Sequence, residues 1–337
     1  NSTQIPSPPP PTLAQITSDP EPAGTPSLEP AIDPQFTIYQ DGRVRLVDRE
    51  ANVLASWDAP GLDPDEDGWY QVVGDVLYYL DRDDGRIYLN RHGSEVSLEF
   101  TGEAPVNGFV VSGDGERIAW STREQGIQGL WIASTNGLGR TQILDEPPEG
   151  ASTGELSLEP VVWTGNGDLV FAWNYLGMGE DPWSDGYASL YVYQPDNDEV
   201  RALAALPDTP AASCWRAFTM DTAYLAGTCG SPPGNQQLRI VEVSSDLEER
   251  VLSMDGQSQV GPAAFSQNRR VAYAVLDRSG LTGTVKVALR SFPGDEPSVL
   301  LVLEEQIVSH LEWLGEDSLL LQIGGQDPSV LLLSLNG

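Results

Sequence analysis

The chain has 337 residues, 50 of them acidic and 18 basic, for a formal charge of −32 at neutral pH; Lys286 is its one lysine. Such a surface repels phosphate backbones, which proteins hold through clustered Lys and Arg, so nucleic acid is not an expected partner. Cations, basic proteins and neutral glycans fit the charge better, and the same charge also serves solubility.

Residues 1–34, "NSTQIPSPPPPTLAQITSDPEPAGTPSLEPAIDP", are too rich in Pro, Ser, Thr and Glu to bury a core and favour extended conformations. They read as a spacer or docking arm that follows a removed export or lipid-anchor signal, which implies an extracytoplasmic protein, secreted or surface-anchored. Thr12 to Ser18, "TLAQITS", is the one strand-competent island within that stretch. No apolar run in the chain approaches the ~18–20 residues that span a bilayer.

From residue 35 the pattern becomes that of short strands. "FTIYQ", "RVRLVD" and "NVLASW" come first, followed by six apolar pairs broken by tight polar knots. These are "YQVVGDVLYYL", "FVVSGDGERIAWS", "VVWTGNGDLVFAW", "RAFTMDTAYLAGT", "AAFSQNRRVAYAV" and "LEWLGEDSLLLQI". Gly, Asn and Asp in the knots supply the positive φ or the side-chain bonding of a reversal, and the β-branched and aromatic flanks suit a pleated, half-buried surface. Each pair is a hairpin, and one or two further strands follow it, such as "GLWIAST" then "RTQIL". A recurrence at roughly 40 to 55 residues with four short strands per unit predicts an all-β propeller over residues 35–337. Seven blades are expected, six if the N-terminal strands instead complete the last blade.

One unit, Val111 to Leu144, resembles the WD40-like repeat of TolB-type β-propellers: a Ser-Gly-Asp-Gly turn precedes "RIAWS", and an Ile/Leu-Trp strand with an Asn-Gly turn follows. The other units keep the framework with altered turns. The resemblance implies a propeller fold and a role in protein–protein contact or as companion to other domains. It implies no catalysis, because its turn residues are scaffolding.

Irregular excursions from the repeat are the places to look for a task. In "DAPGLDPDEDGW" the spacing of Asp63, Asp65, Asp67 and Gly68 matches the first half of a calcium loop, where alternating carboxylates converge on a hard cation. Gly74 stands where a bidentate Glu would close that site, so Ca²⁺ would need further ligands; the alternative is a solvated acidic turn. The longest excursion, "NYLGMGEDPWSDGYAS", interrupts the middle strands of the fourth blade and sets Glu180, Asp181 and Asp185 among Tyr175, Trp183 and Tyr187. Carboxylates among exposed rings suit sugar or peptide contact; the competing expectation is that Trp183 folds down as a plug on its own blade. Cys214 and Cys229 lie symmetrically about Asp221–Thr222, so a hairpin turning there sets them opposite each other within disulfide reach. Two buried free thiols are the alternative.

Catalytic signatures are sparse. His92 and His310 are the only histidines and fall in different blades, which leaves no triad and no His-rich metal site. Clustered arginines and repeated Asp-boxes, which a sialidase-like enzyme needs, are absent from the sequence. The expected function is therefore non-catalytic: a propeller that binds a protein or glycan through its loop face. A second expectation is a self-assembling filament or lattice subunit, whose N-terminal arm adds a strand to the last blade of a neighbouring copy, on the outer side of "SVLLLSLNG". A glycosidase-like or lyase-like propeller is the third.

Overall fold

The computed structural model describes residues 35–40, 42–48, 52–62, 69–124, 127–144, 156–175, 186–204, 215–228, 238–243, 250–252, 258–277, 284–291, 298–304, 306–324 and 329–335. Residues 34–337 make one unit, and residues 1–33, a separate one, lie outside the described residues. Seven antiparallel sheets follow one another along the chain, forming a seven-bladed β-propeller. The first holds β1 (Gln35–Gln40), β2 (Arg43–Asp48) and β3 (Val53–Asp58); the second β4 (Tyr70–Val73), β5 (Val76–Asp81), β6 (Arg86–Arg91) and β7 (Ser94–Ser97). The third holds β8 (Val106–Val111), β9 (Arg117–Glu124), β10 (Ile127–Ser134) and β11 (Thr141–Leu144). Next come β12 (Leu156–Trp163), β13 (Leu169–Tyr175), β14 (Ser189–Gln194) and β15 (Glu199–Ala204), then β16 (Trp215–Phe218), β17 (Tyr224–Gly227), β18 (Leu238–Glu242) and β19 (Arg250–Leu252). The sixth comprises β20 (Ser258–Phe265), β21 (Arg270–Asp277), β22 (Thr284–Ser291) and β23 (Ser298–Glu304), and the seventh β24 (Ile307–Leu314), β25 (Ser318–Gly324) and β26 (Ser329–Ser334).

All six sequence hairpins are the first two strands of blades two to seven. The N-terminal strands form a sheet of their own, which settles the count at seven. Among the described residues the second to sixth blades have the expected four strands, and the first and seventh have three each. β26, third in its sheet, has no buried residue, whereas β14 and β22, third in theirs, each have several.

A shared turn explains the recurring knots. Ser112 N–H donates to Arg117 O (2.9 Å), Gly115 N–H to Ser112 O (2.8 Å), and Arg117 N–H to the Ser112 hydroxyl (2.9 Å). That hydroxyl in turn donates to Asp114 Oδ1 at 2.5 Å, and the two bonds Asp114 accepts, first from Ser112 and then from Glu116 N–H, hold its carboxyl below its ordinary range. Thr219, Asp221 and Thr222 repeat the arrangement, and Thr164 and Ser266 begin shorter versions of it. Three residues after each opening Ser or Thr the chain passes through positive φ: Gly115 at 74°, Gly167 at 88°, Thr222 at 55° and Arg269 at 58°.

Six apolar clusters glue consecutive blades. Between blades two and three, Tyr78, Leu80, Phe109, Ile118 and Trp120 interdigitate, with Trp120 wholly buried. Full burial of such a side chain stabilises by about 1.5–3 kcal/mol. Polar side chains also stitch the seams. Gln71 on β4 donates to Val111 O (2.8 Å) and accepts from Val111 N–H (2.7 Å). Buried Gln128 on β10 donates to Leu156 O and accepts from Leu158 N–H (2.7 Å). At two seams an indole reaches back to the preceding blade while an arginine from that blade lies over its ring. Trp163 Nε1 donates to Val110 O under Arg117 (4.5 Å to the centroid), and Trp313 Nε1 donates to Ala264 O under Arg270 (4.8 Å).

The innermost strands of blades three to seven each shift register once, between Val106/Gly108, Pro160/Val162, Trp215/Ala217, Val260/Ala263 and Val308/His310. A bulge bends and twists its strand and tolerates a proline, which accounts for Pro160 inside β12.

Candidate functional site

The excursion of the fourth blade leaves β13 after Tyr175 and returns before β14; residues 176–185, with Glu180, Asp181, Trp183 and Asp185, lie outside the described residues. Its two ends are clamped. Asn174, the penultimate residue of β13, accepts from Ala188 N–H (3.1 Å) and donates to Glu159 Oε2 (2.9 Å). Tyr187 exchanges backbone bonds with Trp215 of the next blade at 2.7 and 3.0 Å, forming an isolated antiparallel bridge. Gly186 beside it admits that approach, since a Cβ there would sit 2.6 Å from Trp215 O. The Tyr187 ring packs at the seam between blades four and five, 6.4 Å from Phe218. Burial, helped by the charge of Glu159, pushes its phenol up to about 12. Tyr187 thus anchors the base of the excursion, and Tyr175 ends β13 opposite Leu156.

The acidic turn with Asp63, Asp65 and Asp67 also lies outside the described residues, as do Cys214 and Cys229. The hairpin between the cysteines does turn at Asp221–Thr222: Phe218 pairs with Leu225 and Ala217 with Ala226, the symmetric register expected. A bulge then moves the pairing by one residue, to Trp215 with Gly227. His92 sits in the two-residue turn between β6 and β7 at φ 52°, its Nε2 2.9 Å from Asp75 Oδ2, and His310 lies 3.7 Å from Glu312; both are exposed. Among the described residues no three His, Cys, Asp or Glu side chains are grouped so as to hold a metal ion.

Sequence reasoning missed a second feature, a cavity of about 700 Å³ beside the seam of blades two and three. One wall is the β7–β8 connection, Thr101 to Ala104; the other is the face of the third blade carrying Thr122, Glu124, Ile127, Gly129, Trp131 and Gln142, with Arg140 from the β10–β11 turn. The period of two along a strand places Trp120, Thr122 and Glu124 on this face of β9, and Ile127, Gly129 and Trp131 on that of β10. Register sets Glu124 opposite Ile127, Thr122 opposite Gly129, and Trp120 opposite Trp131. The two indoles lie nearly parallel (14°) with centroids 6.4 Å apart, and the Arg140 guanidinium roofs both, 4.3 Å from Trp131 and 5.8 Å from Trp120. Trp131 Nε1 donates to Thr122 Oγ1 at 3.3 Å. Gly129 makes room for that indole: a Cβ there would stand 2.8 Å from Trp131 Nε1. A glycine inside a strand is the signal that marks such close approach.

No protein-family model matches the chain, and a search of curated proteins gives no match. Solved structures match widely. A chain from a structural study of two prolyl endopeptidases aligns with 90% of this chain at 14% identity and a TM-score of 0.59; the match covers 47% of that chain. The Cps50 (Swd1) β-propeller domain of Myceliophteria thermophila aligns over 89% of this chain and 98% of its own, at 12% identity and a TM-score of 0.50. TolB from Acinetobacter baumannii matches 76% of this chain and 62% of its own, at 16% identity and a TM-score of 0.42. At these identities the likeness shows the propeller fold, which enzymes and non-enzymes share.

Proposed function

We propose that the chain is an extracytoplasmic binding propeller that captures a cationic protein partner on its loop face and carries out no reaction of its own. The observation that carries the reading is the clamped base of the fourth-blade excursion: Asn174, Glu159, Tyr187 and Trp215 tie the residues on either side of 176–185 to two rigid blades. Long excursions held on a rigid scaffold are where propellers and other repeat folds place recognition. Glu180, Asp181 and Asp185 in this segment of the sequence, within a chain of charge −32, attract basic surfaces and speed their encounter. The Pro-rich residues 1–34 and the symmetric cysteines support a location outside the cytoplasm.

The test is an array of Lys/Arg-bearing peptides probed with the full chain, with a variant whose residues 177–185 are replaced by Gly and Ser, and with Trp183→Ala. Binding should be lost in both variants at unchanged melting temperature and should weaken with salt, as surface charge attraction does. Equal binding by wild type and the loop replacement would refute this reading.

A further inference from the structure

We propose that the cavity at the seam of blades two and three is a binding site for a neutral oligosaccharide built of pyranose units, separate from the fourth-blade excursion. Its volume of about 700 Å³ falls within the range of small-molecule sites and accommodates two or three sugar rings. Its wall has the chemistry that such rings require. A pyranose has apolar C–H faces and a rim of hydroxyls that both donate and accept. Trp131 and Ile127, the latter 67% exposed, give the apolar wall. Around it stand four planar polar groups: the guanidinium of Arg140, the amide of Gln142, and the carboxylates of Glu103 and Glu124. Planar forks of this kind hold two neighbouring hydroxyls at once, the guanidinium by donating and the carboxylates by accepting.

The state of these groups sharpens the point. Acids outnumber bases 50 to 18, yet Arg140 forms no ion pair among the described residues: stacking on two indoles holds it and leaves its in-plane donors uncommitted. The two hydroxyls of the wall, by contrast, are engaged internally, Thr101 to Leu98 O (2.8 Å) and Thr122 with Trp131. A single ion would satisfy one sign of charge in the cavity and leave the other unmet. A ligand with both donors and acceptors meets Glu103, Glu124 and Arg140 together. The floor is also pre-set, because Gly129 and Gly102 each leave the space that Trp131 and Arg140 occupy; a Cβ on Gly102 would lie 3.2 Å from Arg140 Nη2.

The experiment titrates the full chain with maltotriose, cellotriose and mannotriose by saturation-transfer NMR and calorimetry. At least one should bind with Kd on the order of 1 mM or tighter. Arg140→Ala and Glu124→Gln, both exposed changes, should each weaken it about tenfold or more, as loss of a charge-assisted hydrogen bond does. Gly129→Ala, which displaces Trp131, should weaken it too, while peptide binding by the fourth-blade loop stays intact. The proposal is overturned if none of the three sugars binds at about 10 mM, if Arg140→Ala and Glu124→Gln bind like wild type, or if a Lys-rich peptide occupies the cavity and no sugar does.

Discussion

Gly115 and Thr222 occupy equivalent positions in the turns of blades three and five, at φ 74° and 55°. Replacing Gly115 by Thr and Thr222 by Asn should therefore move stability in opposite directions. A Cβ on Gly115 would meet only Val73 Cγ1, at an ordinary 3.5 Å, so space is not the obstacle and the cost lies in the backbone. A non-glycine residue held at positive φ costs about 1–3 kcal/mol, and a β-branched one falls in the upper part of that range. Against it stands the roughly 0.4–1 kcal/mol gained when a glycine's freedom is removed from the unfolded chain. Gly115→Thr should then lose about 1–2 kcal/mol. Thr222→Asn places a residue that tolerates this region in a site of similar volume and should return about 1 kcal/mol. Guanidinium titration reads both as shifts of midpoint at constant slope. A Gly115→Thr protein with the wild-type midpoint, or a Thr222→Asn protein less stable than wild type, would show that the turn's backbone strain has been misread.

Other outcomes follow from the seams and from the titrating groups. Gln128→Leu keeps the volume but strands the N–H of Leu158 and the carbonyl of Leu156 in a buried seam; at about 1–3 kcal/mol for each unsatisfied group the loss should reach roughly 2–6 kcal/mol, measured by the same titration. Tyr187, with its folded pKa raised to about 12, contributes stability that is full below the unfolded value near 10 and is lost as pH rises from about 10 to 12. Tyr187→Phe should flatten that alkaline limb in melts between pH 9 and 12. Asp114 has the opposite sign: its folded pKa is depressed, so its contribution is present above the unfolded value near 3.9 and disappears as pH falls below about 4. Asp114→Asn should lower stability at pH 7, and the difference from wild type should shrink as pH falls below about 4 and vanish once the folded carboxyl is itself protonated.

What the sequence made legible was local. Each hairpin knot concentrates its turn chemistry within six residues, so Ser112 to Arg117 and Thr219 to Tyr224 could be read without a fold, and a regular period then carried the reading to a ring. The blade count was harder, because "FTIYQ" looks the same whether it opens a new sheet or completes the last one; only its pairing with β2, Gln35 opposite Asp48, decides. The devices that lock blades together were out of reach for a different reason. Gln71 and Val111 are 40 residues apart and Trp163 and Val110 are 53, so nothing in the neighbourhood of either partner announces the bond. The seam cavity shows the same limit in sharper form. Trp131 fitted the repeat as a strand residue and Arg140 as a turn residue, and nothing local to either announces that they stack or that register sets Trp120 opposite Trp131. Yet Gly129 weakens the middle of a β-strand, which makes sense where something needs the volume of its missing side chain. In a chain where repeat positions are scaffolding, a residue that weakens its own strand points to a constraint from beyond it, and Gly129 points to the indole that lines the cavity.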